Sequence, residues 1–225
     1  MTSEIKDTAE QVIRRAEEIL QTAQHGLDDL KSGNGSKRFS GLQNLLVFGR
    51  SVTFVIQNLR SVVEDFDQWY NPIQEELRSD EVMKYFVELR NQILKQGRLQ
   101  IAMEISSLSL STNDLQKLGT PPPGTKGFFI GDKFGGSGWT IELPDGSEAK
   151  YYVELPRSIA EVKQVFAEVP ESARAAIEGK SVEELGEQYL AKLGEILDSC
   201  RKQFLGAPAQ KIGGKRLPPY LRIIK

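Results

Sequence analysis

The sequence predicts an α+β fold, mostly α: an antiparallel helical bundle with a small antiparallel β-sheet inserted ahead of further helices. Three observations predict it. Up to Gly97, apolar residues recur in steps of three and four, the period of a helix face. Beyond Gly97 the period falls to two, as on a half-buried strand. Towards the end, Ser and Glu at capping-box spacing open helical patterns again. With 225 residues, 39% hydrophobic and 27% charged, the chain can bury a real core as one large domain or two small ones.

The first helix carries Ile5, Ala9, Val12, Ile13, Ala16, Ile19, Leu20, Ala23, Leu27 and Leu30 on one stripe. Ser32-Gly-Asn-Gly-Ser36 ends it as a loop. A second helix is expected over 40–69, apolar over most of its surface and therefore central. Its polar residues Arg50, Thr53, Gln57, Arg60 and Glu64 fall on one narrow stripe, at spacings of 3, 4, 3 and 4. That stripe is either the helix's wet face or a seam turned to a site or partner. Pro72 is expected to close a turn at Trp69-Tyr70-Asn71. A third helix starts at the caps Ser79-Asp80 and stops at Gly97. One of its stripes is Met83, Val87, Arg90 and Leu94, so Arg90 interrupts an apolar face. A cation there is costly unless it is paired or lies at an interface.

Leu99, Ile101, Met103 and Ile105 alternate as a strand, and Thr120-Pro-Pro-Pro-Gly124 reads as a stiff linker. Phe128-Phe-Ile130 is a short strand. Trp139, Ile141 and Leu143 alternate up to Pro144-Asp-Gly-Ser147, then Ala149, Tyr151, Val153 and Leu155 alternate back, a hairpin. A sheet of three or four strands is expected. Helix is expected to resume after Pro156, with Ser158 and Glu161 as a capping box and Ile159, Val162, Val165, Phe166 and Val169 as its apolar residues. A short helix follows Pro170, and Ser181 with Glu184 opens a last helix that Gly206 stops. The organisation expected is a helical core over 1–97, a sheet over 98–156, helices packing on the core over 157–206, and a basic tail over 207–225.

Composition excludes several functions. With one Cys and one His, the chain is no disulfide scaffold and cannot build the usual zinc sites; no metal or other cofactor is expected. Cys200 lies on an apolar helix side as inert core. The N-terminal segment lacks the pattern of a signal peptide. Arg50 and Arg60 interrupt the most apolar run, so a cytoplasmic protein with no membrane span is expected. The net charge of -2 is divided: the tail holds five cations and no acid, leaving -7 on the body. The tail either packs on that acidic body or acts as an arm for nucleic acid, with Lys215 and Arg216 on phosphates and Tyr220 stacking on a base. Gly135-Gly-Ser-Gly138 precedes a strand and lacks the Lys-Ser/Thr ending of a P-loop, so it reads as a hairpin loop.

The third helix ends Phe86-Val-Glu-Leu-Arg90-Asn91-Gln-Ile-Leu-Lys95-Gln-Gly97. This resembles the Arg-Asn motif of HEPN proteins, helical domains common in toxin-antitoxin, phage-defence and CRISPR-associated systems. Arg50-Ser-Val-Thr-Phe54, Phe66-Asp-Gln-Trp-Tyr70 and the 135–146 hairpin also look like parts of a large group of bacterial proteins. The HEPN resemblance covers roughly 1–97. It implies a homodimer through helix 79–97, with the motifs meeting across a two-fold axis to form a metal-independent RNase site. Lys95 stands where that family has its His, and the lone His25 is on the first helix. A lysine near 10.4 is a poor base at neutral pH beside an imidazole near 6.5. The resemblance therefore implies a dimeric, non-catalytic or weakly catalytic protein of defence or toxin-antitoxin type, binding RNA or a defence-system partner through Arg50, Arg60 and Arg90. One alternative is a metal-independent ribonuclease using Arg90, Asn91 and Lys95. Another is a protein–protein interaction module with no nucleic-acid role.

Overall fold

The computed structural model describes residues 7–32, 35–97, 99–108, 117–132, 136–156, 159–206, 211–212 and 215–216. Helices α1 (Ala9–Ser32) and α2 (Gly35–Ile56) form an antiparallel hairpin. A 3-10 turn (Gln57–Ser61) leads to α3 (Phe66–Ser79) and α4 (Glu81–Gln96). Strands β1 (Ile101–Leu108), β2 (Thr125–Phe129), β3 (Ser137–Glu142), β4 (Glu148–Val153) and β5 (Ala160–Phe166) follow. Helices α5 (Glu171–Ile177) and α6 (Val182–Leu205) return to the bundle, and the short strands β6 (Lys211–Ile212) and β7 (Lys215–Arg216) pair antiparallel in the tail. The fold is α+β and mostly α, as the periodicities predict.

The core lies among α1, α2, α4 and α6, where Val12, Ile13, Leu42, Leu45, Ile56, Phe86, Leu193 and Leu197 are completely buried. Two backbones meet inside it. A Cβ on Gly26 would lie 2.6 Å from the Leu45 nitrogen, and one on Gly41 would lie 2.6 Å from the Gly26 carbonyl oxygen. Only glycines permit this approach, because the obstructing atoms are main chain and cannot move aside. On α6, Gly186 similarly makes room for Leu45 and Leu27. Glu17, nearly buried on α1, accepts from the Arg201 guanidinium of α6 at 3.2 and 3.3 Å. By length and composition Lys37–Ser61 is the one candidate membrane span among the described helices. Much of its apolar surface already packs against α1, α4 and α6.

Four expectations change. The expected helix over 40–69 is broken: helix ends at Ile56, and Val62 and Val63 both donate to the Leu59 carbonyl. Consecutive β-branched residues disfavour helix. Leu59 in the turn and Phe66 at the start of α3 are both completely buried. Glu64 therefore sits in the turn, off the polar stripe. Pro72 lies inside α3 instead of closing a turn. Its cost in a helix interior, about 3 kcal/mol, is offset by the anchoring of Phe66 and Tyr70 in the core.

Residues 160–166 are a strand, not the helix expected after Pro156; Ser158 lies outside the described residues. Ala160, Gln164 and Phe166 are buried at even spacing, and the strand pairs antiparallel with β1, Ile101 opposite Phe166. Long-range pairing overrides a local capping pattern. The expected single sheet is divided into a β1–β5 ribbon and a three-stranded β2–β3–β4 sheet.

Two measurements test this packing. Gly41→Ala should lower the unfolding free energy in urea by about 1–3 kcal/mol. Gly127→Ala, with nothing within 4 Å of the added carbon, should change it by less than about 0.5 kcal/mol. Burial pushes the Cys200 thiol up to about 12. It stays protonated at pH 8, so a disulfide reagent should label the protein only after unfolding.

Candidate functional site

The candidate site lies where α2 and α4 run side by side. Gly49 presents no side chain to α6, and the Tyr189 ring fills the space; a Cβ there would lie 2.4 Å from the ring. Tyr189 stacks on Phe86, with ring centroids 4.3 Å apart, and is 2% exposed. Burial raises its hydroxyl pKa, while Arg50 and Arg90 pull it the other way. The hydroxyl is therefore neutral at pH 7, able to donate but unsuited to act as a base.

Arg50 and Arg90 both face Phe54, one turn after Arg50 on α2. The guanidinium carbon of Arg50 lies 4.1 Å from the ring centroid and that of Arg90 5.8 Å. The two guanidinium carbons are thus at most about 10 Å apart, roughly one Debye length at 0.1 M salt. Phe54 keeps 45% exposure. Arg50 also donates to the Thr53 hydroxyl, and Arg90 donates to Asn91 Oδ1 at 3.1 Å. The Arg90 Nε is buried and has no hydrogen-bond partner.

Among the described residues, neither arginine pairs with a carboxylate. Arg60, by contrast, donates to Asp67 at 2.8 Å, and Arg78 lies 2.6 Å from Glu75. Neither Glu64 nor Asp65, the natural candidates for a structural pair with Arg90, makes one. Two like charges this close repel by on the order of 0.5–1.5 kcal/mol, and the face of an aromatic ring recovers a comparable amount.

The polar stripe of the sequence is thus mixed in character. Thr53 is buried, Arg50 and Gln57 are half-buried, and Arg60 is exposed. Burial raises the pKa of Tyr70, against the pull of Arg50, Arg60 and Arg78 and a hydrogen bond with Gln57. Four arginines therefore line this side of the bundle, two of them already paired. Leu94, one turn beyond Arg90, is 55% exposed.

Within one chain, Arg90, Asn91 and Lys95 do not converge on one point. Asn91 is half-buried and engaged with Arg90. Lys95 is exposed, and five residues from Arg90 it points about 140° round the helix. In the tail, β7 contains Lys215 and Arg216, paired through the backbone with Ile212 and Lys211; Tyr220 lies outside the described residues. Among the described residues, no group of three or more His, Cys, Asp or Glu is placed to hold a metal.

Next to Gly136 and β3 stands a carboxylate, Asp132. Asp132 accepts from the Gly136 backbone at 3.2 Å, from Lys150 at 2.8 Å and from the Tyr152 hydroxyl at 2.7 Å. A carboxylate there repels phosphate, and Gly136 and Gly138 are needed because Tyr152 and the Tyr151 backbone crowd them.

Sequence reasoning found the arginines and missed Phe54 and Tyr189 as their setting. Arg-x-x-x-Phe at i,i+4 on a helix was a usable signal for the first. Tyr189 comes from a distant helix, and only the fold brings it here.

The sequence family described as "Bacteriophage lambda protein ea47" matches residues 33–112. The match runs from the start of α2 past the end of β1, well under half of the chain. It includes Arg50, Phe54, Arg60, Arg90, Asn91 and Lys95. No curated protein and no solved structure matches. The match corrects the HEPN resemblance, because the family found over the Arg-Asn helix is a different one. A dipeptide on an amphipathic helix is too short to separate the two, and Arg90 here turns to Phe54 and to its own neighbour.

An Arg90 held for structure would cost several kcal/mol to remove. An uncompensated cation predicts the opposite: Arg90→Met should leave the urea unfolding free energy within about 0.5 kcal/mol of the parent, or raise it.

Proposed function

We propose that the α2–α4 face binds RNA without cleaving it. One observation carries this: Arg50 and Arg90, neither paired with a carboxylate among the described residues, meet over the half-exposed ring of Phe54. Guanidinium groups suit phosphate oxygens by charge and by their planar fork. An aromatic ring beside them suits a nucleobase, which has a π-face. An acidic protein surface would satisfy the charges but would not call for the ring.

The absence of cleavage is argued from the side chains in place. Tyr189 is held neutral by burial, and Lys95 stands away from Arg90. Neither is poised to take a proton from a ribose 2'-hydroxyl. This reading does not require a homodimer through helix 79–97. The reading also places the protein in the cytoplasm, with its ligand.

Fluorescence anisotropy with a labelled RNA oligonucleotide tests the proposal. Binding at 50 mM salt is expected, and Arg50→Ala with Arg90→Ala should weaken it at least about tenfold. The RNA should stay intact, with EDTA or with magnesium. Metal-independent cleavage abolished by Arg90→Ala would favour the ribonuclease alternative. Binding to a poly-glutamate peptide and not to RNA would favour a protein partner.

A further inference from the structure

We infer that the RNA recognised on this face is single-stranded and contacts Arg50 on α2, Arg60 in the turn after it and Arg90 on α4, with one base stacked on Phe54. The inference rests on the RNA-binding reading above and adds its substrate class and footprint.

The ring sets the class. Arg50 lies over Phe54 at 4.1 Å, yet the ring is still 45% exposed. Stacking on that surface requires a base free to leave its neighbours. A duplex hides its base faces, and an A-form duplex offers side chains mainly phosphates and 2'-hydroxyls.

The arginines set the footprint. Arg50 sits on α2 and Arg60, ten residues on, in the 3-10 turn that follows, so their backbones are at most about 17 Å apart. That is roughly two to three nucleotides of extended strand. Gln57 lies between them, half-buried, its amide donating to the Thr53 carbonyl at 3.0 Å and hydrogen-bonded to Tyr70. Arg60 is engaged with Asp67 at 2.8 Å, but both side chains are more than half exposed, at 52% and 54%. An exposed pair of this kind is worth little, so a phosphate can draw Arg60 away.

Arg78 on α3 is already paired with Glu75 at 2.6 Å, so the footprint is taken to be Arg90, Arg50 and Arg60.

The test is a salt titration of binding to a short labelled single-stranded RNA, with unlabelled single-stranded and duplex RNA as competitors. Three phosphate contacts on a single strand predict a slope of log K against log salt of about -2, and Arg50→Ala or Arg60→Ala should each flatten it by about 0.7. Phe54→Ala should weaken binding by about 5- to 150-fold with the slope unchanged, because stacking releases no ions. Phe54→Trp should keep the affinity, which shows that the loss is one of stacking and not of fold. Duplex RNA should compete poorly.

Equal competition by duplex, or parent affinity in Phe54→Ala, overturns the single-strand inference while RNA binding stands. An unchanged slope in Arg60→Ala overturns the footprint. No binding to either RNA removes the underlying reading as well.

Discussion

The contact between Gly26 on α1 and Gly41 on α2 constrains the rest of the protein. Main chain meets main chain there, 2.6 Å from where a Cβ would stand. Such a contact fixes the two helices in register, since sliding by one residue would place a side chain in the gap. The register of α2 then sets what each of its faces meets. Leu45 is held where Gly186 of α6 can receive it, and Gly49 is held where Tyr189 of α6 lies under it. Arg50 follows Gly49 in the chain, and so stands at the rim of the same contact.

The rim keeps its charge because its counter-ligand is not a carboxylate. Elsewhere several described cations are paired. Glu17 takes Arg201, Glu183 and Gln164 take Arg38, and Asp132 takes Lys150. At Phe54 two guanidinium groups share an aromatic ring instead. A ring holds a cation without neutralising it, so the positive potential remains available to an anion. The buried Tyr189 beneath stays neutral, which fits the proposed reading of a site that binds phosphate without cleaving it.

Much of this was legible in the sequence wherever local signals and tertiary demands agreed. Asp80 and Gly97 bound α4, and Ser181 with Glu184 caps α6 as a full capping box. The Pro144-Asp-Gly146 turn joins β3 to β4, with Ser147 donating to Asp145. The sequence was misleading where a distant partner decided. β5 carries a helix-like capping pattern but pairs with β1, some sixty residues earlier in the chain. The 57–65 break comes at the consecutive β-branched Val62 and Val63, whose N–H groups both donate to the Leu59 carbonyl. At the site, the arginines were visible as a stripe, whereas the ring between them and the tyrosine below depend on packing across three helices. The Arg90-Asn91 pair drew a family resemblance that two residues could not sustain.

Photocrosslinking tests the central claim most directly. Single-stranded RNA carrying 5-bromouridine would be irradiated with the 225-residue chain and the modified peptides mapped by mass spectrometry. The account predicts adducts concentrated on α2 around Phe54 and lost in competition with excess unlabelled single-stranded RNA. Adducts confined to the 207–225 tail or to the β2–β3–β4 sheet, with α2 unmodified, would contradict it.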